Sequence, residues 1–127
     1  MRRVFITGAS SGIGEALARH YAGPDTAIGL FARRREALER LASSLPGRSA
    51  IYCADVADRA AIAAAAQDFV ARFGAPDLVI ANAGVSVGTR GDELQDVDKL
   101  RRVLEVNVVG LAATLAAFAP AMRAAGG

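Results

Sequence analysis

Short apolar runs alternate along the chain with stretches in which apolar residues recur at helical spacing. The first run, Val4-Phe5-Ile6, precedes a glycine-rich turn and then a helical pattern. Strand-length runs that alternate with helical patterns are typical of βαβ units and a parallel sheet. The predicted strands are Arg3–Thr7, Thr26–Ala32, Ser49–Ala54 and Asp77–Ala81, and the predicted helices run from Gly12 to near Ala22, through Leu38 to Leu45, from Asp58 to Gly74, and onward from near Asp96.

The helical patterns also predict which side chains face the core. Asp58 suits the N-cap of the third helix, and Gly74 suits its end. The predicted buried positions are Ile13, Ala16, Leu17, His20 and Tyr21 in the first helix, Leu38, Leu41, Ala42 and Leu45 in the second, and Ile62, Ala66, Phe69, Val70 and Phe73 in the third.

The last helix carries two apolar lines. The line predicted to face the core contains Leu100, Leu104, Val108, Leu111, Leu115, Phe118 and Met122; the other contains Val106, Val109, Ala113 and Ala117, with Gly110 between them. A helix that is apolar nearly all round is buried on both sides. Because small residues allow close helix packing, we expect a homo-oligomer that forms through this helix.

The handedness of the crossovers fixes the order of the strands. Right-handed connections from strand one to two and from two to three place their helices on one face, and the return to strand four places the third helix on the other. The sheet therefore has the order 3-2-1-4, which is a Rossmann-type doubly wound parallel sheet in three α/β/α layers. Ligands bind such sheets at the switch point, here between strands one and four.

The glycine-rich turn is the strongest candidate for a ligand site. Gly8, Gly12 and Gly14 have the spacing G-x-x-x-G-x-G between a strand and a helix. Such a turn directs free backbone N–H groups and the positive end of a helix toward a phosphate. No Lys-Ser or Lys-Thr follows Gly14, so this is not a P-loop. The alternative is a tight turn that binds no ligand.

Four motifs in order resemble the N-terminal half of the short-chain dehydrogenase/reductase family. They are Thr7–Gly14, Asp55-Val56, Asn82-Ala83-Gly84 and Asn107. The resemblance implies an oxidoreductase that transfers hydride between a nicotinamide cofactor and a small-molecule carbonyl or alcohol substrate. It also implies that a catalytic Ser and a Tyr-x-x-x-Lys motif lie further on, so this segment alone should be inactive. A different class of function remains open, a non-catalytic NAD(P)-binding module or sensor, as does nucleotide binding that does not involve NAD(P).

The end of the second strand distinguishes NADP from NAD. An NAD site places an acidic residue there to hold the ribose hydroxyls, whereas this chain has Ala32 followed by Arg33-Arg34-Arg35. Cations at a helix N-terminus are unfavourable unless an anion lies beside them. We therefore expect NADP, with NAD less favoured, and with Arg33 and Arg34 holding the 2′-phosphate; in the resembling family, a basic residue here likewise accompanies NADP. A run of solvated surface arginines is the alternative.

The other candidate site residues follow from the turn and from the resemblance. Ser10, Ser11 and the neighbouring amides should line the pyrophosphate, with Ile13 against the cofactor, although the serines could only cap the helix. The resemblance gives Asp55 and Val56 to the adenine and Asn107 to the catalytic tetrad; an Asx turn and a core asparagine are the alternatives. Ala83 and Gly84 would let a ribose approach the backbone, and Asn82 could tie adjacent strands together.

Composition and charge exclude several classes of protein. The net charge is +2, the arginines are scattered apart from residues 33–35, and Lys99 is the single lysine, which does not indicate nucleic-acid binding. Cys53 is alone, which suits a reducing compartment. No stretch reaches the roughly eighteen apolar residues of a membrane span, since Pro120 and Arg123 break the Ala-rich end, so we expect a cytoplasmic protein without membrane contact.

The sequence also predicts that residues 1–127 are the N-terminal part of one dinucleotide-binding domain. Leu78-Val79-Ile80 is apolar enough for a central strand, yet it would form an uncovered sheet edge. Gly126-Gly127 resembles a helix C-cap at the place where a further strand would begin. We therefore expect a longer polypeptide whose later strands carry the active site.

Overall fold

The computed structural model of the protein describes residues 1–86 and 90–126. The strands are β1 (Arg2–Thr7), β2 (Thr26–Ala32), β3 (Arg48–Cys53) and β4 (Leu78–Ala81). The helices are α1 (Gly12–Tyr21), α2 (Arg35–Ser44), α3 (Arg59–Phe73), α4 (Asp96–Leu104) and α5 (Gly110–Ala124), with a π-helical turn (Glu105–Val109) that joins the last two. The predicted loop from Gly84 to Gly91 includes residues 87–89, and the predicted cap includes Gly127; these four residues lie outside those described.

The four strands form one parallel sheet in the predicted order β3-β2-β1-β4. Ile6 of β1 lies opposite Leu30 of β2 on one side and Ile80 of β4 on the other. The Rossmann-type fold predicted from the crossovers is therefore confirmed. Because the strands are parallel, their carboxyl ends meet at one edge, where the glycine turn and Asn82 also lie.

The core lies on both faces of the sheet. Val4 and Ile6 point to one side, where they pack with α1 and α2, while Phe5 points to the other side, toward α3 and α5. All three side chains are fully buried. Strands covered on both faces read as continuous apolar runs, which is why Val4-Phe5-Ile6 shows no alternation.

The inner face of α3 is largely as predicted, whereas that of α1 differs from the prediction. In α3, Asp58 is the N-cap as predicted, and its side chain accepts a hydrogen bond from the N–H of Ala61. In α1 the buried residues are Gly14 and Ala18, whereas Ile13 is 71% exposed. The predicted inner face of α1 is therefore partly wrong, since Gly14 must lie against the turn.

The predicted core face of the last helix is wrong. Five members of the leucine-rich line are between 41% and 57% exposed, namely Leu100, Leu104, Val108, Leu111 and Leu115, while Phe118 alone is fully buried. Most of the other line faces inward: Val106 is buried, and Ala113 and Ala117 are partly buried against the cluster that contains α3, whereas Val109 is 39% exposed. The close packing that small residues allow is made partly within the chain, between α5 and α3, and the exposed leucine-rich line offers a second surface for the expected oligomer.

The helix from Asp96 to Ala124 is also long and apolar enough to cross a membrane. Its most apolar window has a mean hydropathy of 1.7, and 22% of that window is buried. The expectation that no stretch meets this criterion is therefore wrong. A core helix of a soluble protein meets the same test, so length and composition assign no membrane location.

Candidate functional site

The glycine turn is held closely against the end of β4. Gly8 has a φ of +67°, and a Cβ atom there would lie 2.8 Å from the Cα of Ala83. A Cβ on Gly14 would lie 1.9 Å from the carbonyl oxygen of Gly8, so α1 can seat on the turn only with glycine at this position. Gly12 differs: its φ is +58°, and no atom would meet a Cβ there within 4 Å. The turn thus combines two tight contacts with one open side.

Thr7 and Asn82 join the ends of β1 and β4. The hydroxyl oxygen of Thr7 accepts hydrogen bonds from the N–H groups of Asn82 at 3.0 Å and Ala83 at 3.1 Å. The Asn82 side chain donates to the carbonyl of Gly8 at 3.4 Å. Asn82 therefore ties adjacent strands together, as one of its interpretations held. The role of Thr7 was missed, although it is the first residue of the turn motif.

The two serines lie at the beginning of α1. Ser11 is the N-cap residue, with φ −161° and ψ 165°, and its side chain makes no capping hydrogen bond. Capping therefore does not account for the Ser11 hydroxyl. Ser10 and Ser11 both line a cleft at the N-terminus of this helix, where free backbone N–H groups favour an anion.

Arginines line the same cleft at the tip of β2. Arg33 and Arg34 are exposed and follow the buried Ala32 directly. Arg35, by contrast, lies outside the cleft lining and pairs with Glu39 at 4.0 Å. Within residues 1–86 and 90–126, no carboxylate lies within 4.0 Å of the Arg33 or Arg34 guanidinium. Both cations are thus available to an anionic ligand.

Asp55 follows β3 and has both carboxylate oxygens engaged. The N–H of Ala57 donates to Oδ1 at 3.0 Å, which forms the Asx turn that was one interpretation of this residue. Arg102 of α4 donates to Oδ2 at 2.6 Å. Burial alone would raise the pKa of Asp55, but the hydrogen bonds from Ala57 and Arg102 and the charges of Arg102 and Arg33 outweigh it, so the pKa is lowered. Asp55 is therefore held as a carboxylate.

Asn107 lies in the π-helical turn and reaches the loop after β4. Its Oδ1 accepts from the N–H of Val85 at 2.8 Å, and its Nδ2 donates to the Val85 carbonyl at 2.9 Å. The turn itself is closed by a bond from the Gly110 N–H to the Glu105 carbonyl. Asn107 is thus satisfied by backbone, and it positions the segment that follows Gly84.

Together these elements surround a cleft of about 540 Å³ at the switch point of the sheet. Most of the predicted site residues line it: Gly8, Ser10, Ser11, Arg33, Arg34, Asp55, Val56, Asn82, Ala83 and Gly84. Gly12, Ile13, Gly14 and Asn107 are not among the lining residues. The remaining lining residues, which were not predicted, are Phe31, Ala32, Ala54, Val85 and Val106. Their apolar side chains gave no sequence signal that distinguishes them from core residues.

The cleft fits a phosphorylated dinucleotide. Its lining includes the arginines at the tip of β2, the serines at the helix N-terminus and the small residues Ala83 and Gly84 after β4. Gly12 leaves open space on the turn, as close approach of a ligand to backbone requires. Val56, which is 5% exposed and packs against Gly110, contributes an apolar side chain to the cleft after β3.

Comparison with known proteins identifies the family. A model of the short chain dehydrogenase family matches residues 2–127. The chain belongs to this family. It is 38% identical over 127 residues to dehydrogenase/reductase SDR family member 7B of Mus musculus, an alignment that covers 94% of this chain and 39% of that protein. It is 34% identical over 110 residues to meso-2,3-butanediol dehydrogenase of Serratia marcescens, which covers 85% of this chain and 43% of that protein.

Solved structures of short-chain dehydrogenases show the same fold. An alcohol dehydrogenase from the archaeon Thermococcus sibiricus, complexed with 5-hydroxy-NADP, superposes with a TM-score of 0.90 at 34% identity, covering all of this chain and 55% of that one. A 3-ketoacyl-(acyl-carrier-protein) reductase from Brucella melitensis, complexed with NADH, gives a TM-score of 0.86 at 28% identity, covering 94% and 49%. The chain thus spans about two fifths to a little over half the length of these short-chain dehydrogenase relatives.

Proposed function

We propose that this short-chain dehydrogenase chain forms the cofactor-binding part of an NADP(H)-dependent oxidoreductase. The reaction is hydride transfer between nicotinamide and a small-molecule carbonyl or alcohol. The observation that carries the proposal is one cleft that joins the glycine turn to two available guanidinium groups at the tip of β2. A pyrophosphate site alone would suit many nucleotides, whereas the added cations suit a nucleotide with a further phosphate.

Each part of the cleft has a role in this proposal. The amides that begin α1, with Ser10 and Ser11, bind the pyrophosphate, and Arg33 binds the 2′-phosphate with help from Arg34. Asp55 and Val56 border the adenine, and Ala83 and Gly84 admit the ribose on the nicotinamide side. When bound, the nicotinamide supplies the hydride chemistry, and the chain supplies its orientation.

In this proposal, Asn107 contributes to the active site by positioning the loop after β4. Its two hydrogen bonds to Val85 fix the loop after β4 beside the cleft. Membership of the catalytic tetrad, which the family resemblance implies, requires partners that act on the substrate. We place the serine, the tyrosine and the lysine of that tetrad in the part of the relatives that this chain does not cover.

Similarity to relatives does not by itself distinguish NADP from NAD as the cofactor of this chain. One similar structure was solved with 5-hydroxy-NADP and another with NADH. The preference for NADP therefore rests on Arg33 and Arg34, and on the absence of an acidic residue directly after β2. A charge-assisted hydrogen bond contributes about 1.5–3 kcal/mol, enough for a roughly ten- to hundredfold preference.

The test is a fluorescence titration of the full polypeptide and its Arg33→Ala variant with NADPH and with NADH. We expect the substitution to weaken NADPH binding by roughly ten- to hundredfold and to change NADH binding little. Arg35→Ala is the matched control, because Arg35 pairs with Glu39 outside the cleft. Equal affinity of the unaltered protein for the two nucleotides would contradict the NADP assignment, and binding of neither would contradict the proposed function.

A further inference from the structure

One ion pair connects the strand side of the cleft with the last helix. Nη2 of Arg102, near the end of α4, lies 2.6 Å from Oδ2 of Asp55, and the two residues are 47 positions apart in sequence. Both side chains are partly shielded, with exposures of 38% and 30%. Most other ion pairs among residues 1–86 and 90–126 join near neighbours on one helix or in one loop. The Arg102–Asp55 pair instead spans two layers of the fold.

Arg102 completes the fixation of the Asp55 carboxylate. The Ala57 N–H already holds Oδ1, but a single bond leaves the carboxylate free to turn about its remaining torsions. The second bond, on Oδ2, removes that freedom. Each carboxylate oxygen has two lone pairs, so a carboxylate held in this way can still accept another hydrogen bond. Asp55 lines the cleft and can offer that remaining capacity to a ligand.

We propose that Arg102 is a positioning residue for adenine recognition: it holds Asp55 in the orientation that accepts a hydrogen bond from the exocyclic amino group of the cofactor's adenine. Arg102 is absent from the residues that line the cleft, so it acts through Asp55 and not on the ligand. This inference rests on the proposed function, since it requires a nicotinamide adenine dinucleotide in the cleft.

The pair also places one helix against both ends of the cleft. Arg102 contacts Asp55 on the adenine side. Asn107, which lies in the π-helical turn that follows α4, contacts Val85 after β4. Helix α4 and the π-helical turn are therefore anchored at two points, by a cationic side chain at Arg102 and by a neutral amide at Asn107. Loss of the Arg102 contact should affect adenine discrimination and leave the Asn107 contact in place.

The experiment compares two nucleotides on the same protein preparation. The probes are NADPH and its deaminated analogue, in which hypoxanthine replaces adenine and a carbonyl oxygen replaces the amino group. Dissociation constants are measured by fluorescence for the full polypeptide and for Arg102→Met, Arg102→Lys and Asp55→Asn. Arg101→Met is the matched control, because Arg101 is exposed and forms no ion pair within the described part of the chain.

We expect the unaltered protein to favour NADPH over the deaminated nucleotide, and Arg101→Met to keep that ratio. Arg102→Met should lower the ratio by roughly two- to tenfold, the range of one lost hydrogen bond, and Arg102→Lys should restore part of it. Asp55→Asn should lower the ratio at least as far. The ratio is insensitive to a misfolded fraction, because both nucleotides are titrated into the same sample.

Three results would overturn the inference. In the first, Arg102→Met weakens the binding of both nucleotides equally, which is the result expected of an ion pair that only stabilises the fold. In the second, the unaltered protein binds both nucleotides equally well, so that Asp55 does not recognise adenine while the proposed function stands. In the third, the unaltered protein binds neither nucleotide, and the proposed function fails together with the inference.

Discussion

Asn107 and Val85 form a closed two-bond pair in which the carboxamide takes the place of a neighbouring strand. Oδ1 accepts from the Val85 N–H at 2.8 Å while Nδ2 donates to the Val85 carbonyl at 2.9 Å. Gly84, the residue before Val85, lies close to this contact, since a Cβ on Gly84 would be 3.4 Å from Oδ1 of Asn107. The wall of the cleft after β4 is thus fixed by one side chain of the last helix.

Substitution of Asn107 by Leu, a side chain of similar size, should release this segment. Leaving a buried donor or acceptor without a partner costs about 1–3 kcal/mol, so we expect the free energy of unfolding to fall by about that amount. Urea denaturation measures the fall, and amide hydrogen exchange at Val85 should become faster. Asn107→Asp separates the two bonds, because it keeps the acceptor for the Val85 N–H but replaces the donor with an oxygen that faces the Val85 carbonyl. Unchanged exchange at Val85 in Asn107→Leu would contradict the prediction.

The glycines of the turn should differ sharply in their tolerance of alanine. A Cβ on Gly14 would clash with the Gly8 carbonyl at 1.9 Å, and one on Gly8, with φ +67°, would lie 2.8 Å from the Ala83 backbone. Either alanine must displace the backbone, so we expect a loss of stability well above the roughly 1–2 kcal/mol of a left-handed residue alone. Thermal unfolding of the full polypeptide is the measurement.

Two further glycines calibrate that experiment. Gly12 has φ +58° but open space around a Cβ, so Gly12→Ala should show the conformational cost without the clash, about 1 kcal/mol. Gly91 lacks a positive φ, and none of the described residues would lie within 4 Å of a Cβ there, so Gly91→Ala should be close to neutral. Equal destabilisation by all four alanines would show that the contacts at Gly8 and Gly14 are not the reason for glycine there.

The sheet could be predicted from the sequence because each of its causes is local or topological. Continuous apolar runs marked the four strands, and the handedness of crossovers then allowed only the order that the structure shows. The same reasoning brought the glycine turn and Asn82 to one edge. The sequence could therefore place residues that follow directly after a strand, such as Arg33 and Asp55, at the cleft that the structure shows.

The last helix shows where this reasoning fails. Two apolar lines run along it, and periodicity cannot decide which one faces the core. The line with small residues lies inside because Ala113 and Ala117 let α5 approach α3 closely, which leaves Leu104 and Leu115 outside. Arg102 was also missed, because its partner lies 47 residues away and no spacing rule connects them.

Self-association therefore has a different predicted surface from the one that the sequence indicated. Leu104 and Leu115, 47% exposed each, belong to a row of large apolar side chains at helical spacing, and contiguous exposed apolar surface marks interaction sites. We expect Leu104→Glu with Leu115→Glu to shift the full polypeptide toward monomer in light scattering. Leu94→Glu is the control, because Leu94 is 91% exposed but lies in the loop before the helix. An unchanged mass in the double variant would reject this surface.

The stability of the fold should depend on pH through the ionisation of Asp55. Its pKa is lowered in the folded state against the opposing effect of burial, by hydrogen bonds from Ala57 and Arg102 and by the Arg102 and Arg33 charges. A group with a lowered folded pKa stabilises the protein above its unfolded pKa of about 3.9 and loses that contribution as the pH falls through the folded value. Asp55→Asn should therefore be less stable than the unaltered protein at neutral pH, and this gap in the free energy of unfolding should narrow only below about pH 4.

Urea denaturation of both proteins from pH 7 to pH 3 measures the gap. The exposed Asp98→Asn is the control, and its stability should follow that of the unaltered protein throughout. A gap that stays constant down to pH 3 would mean that the charge of Asp55 does not contribute to the stability of the fold.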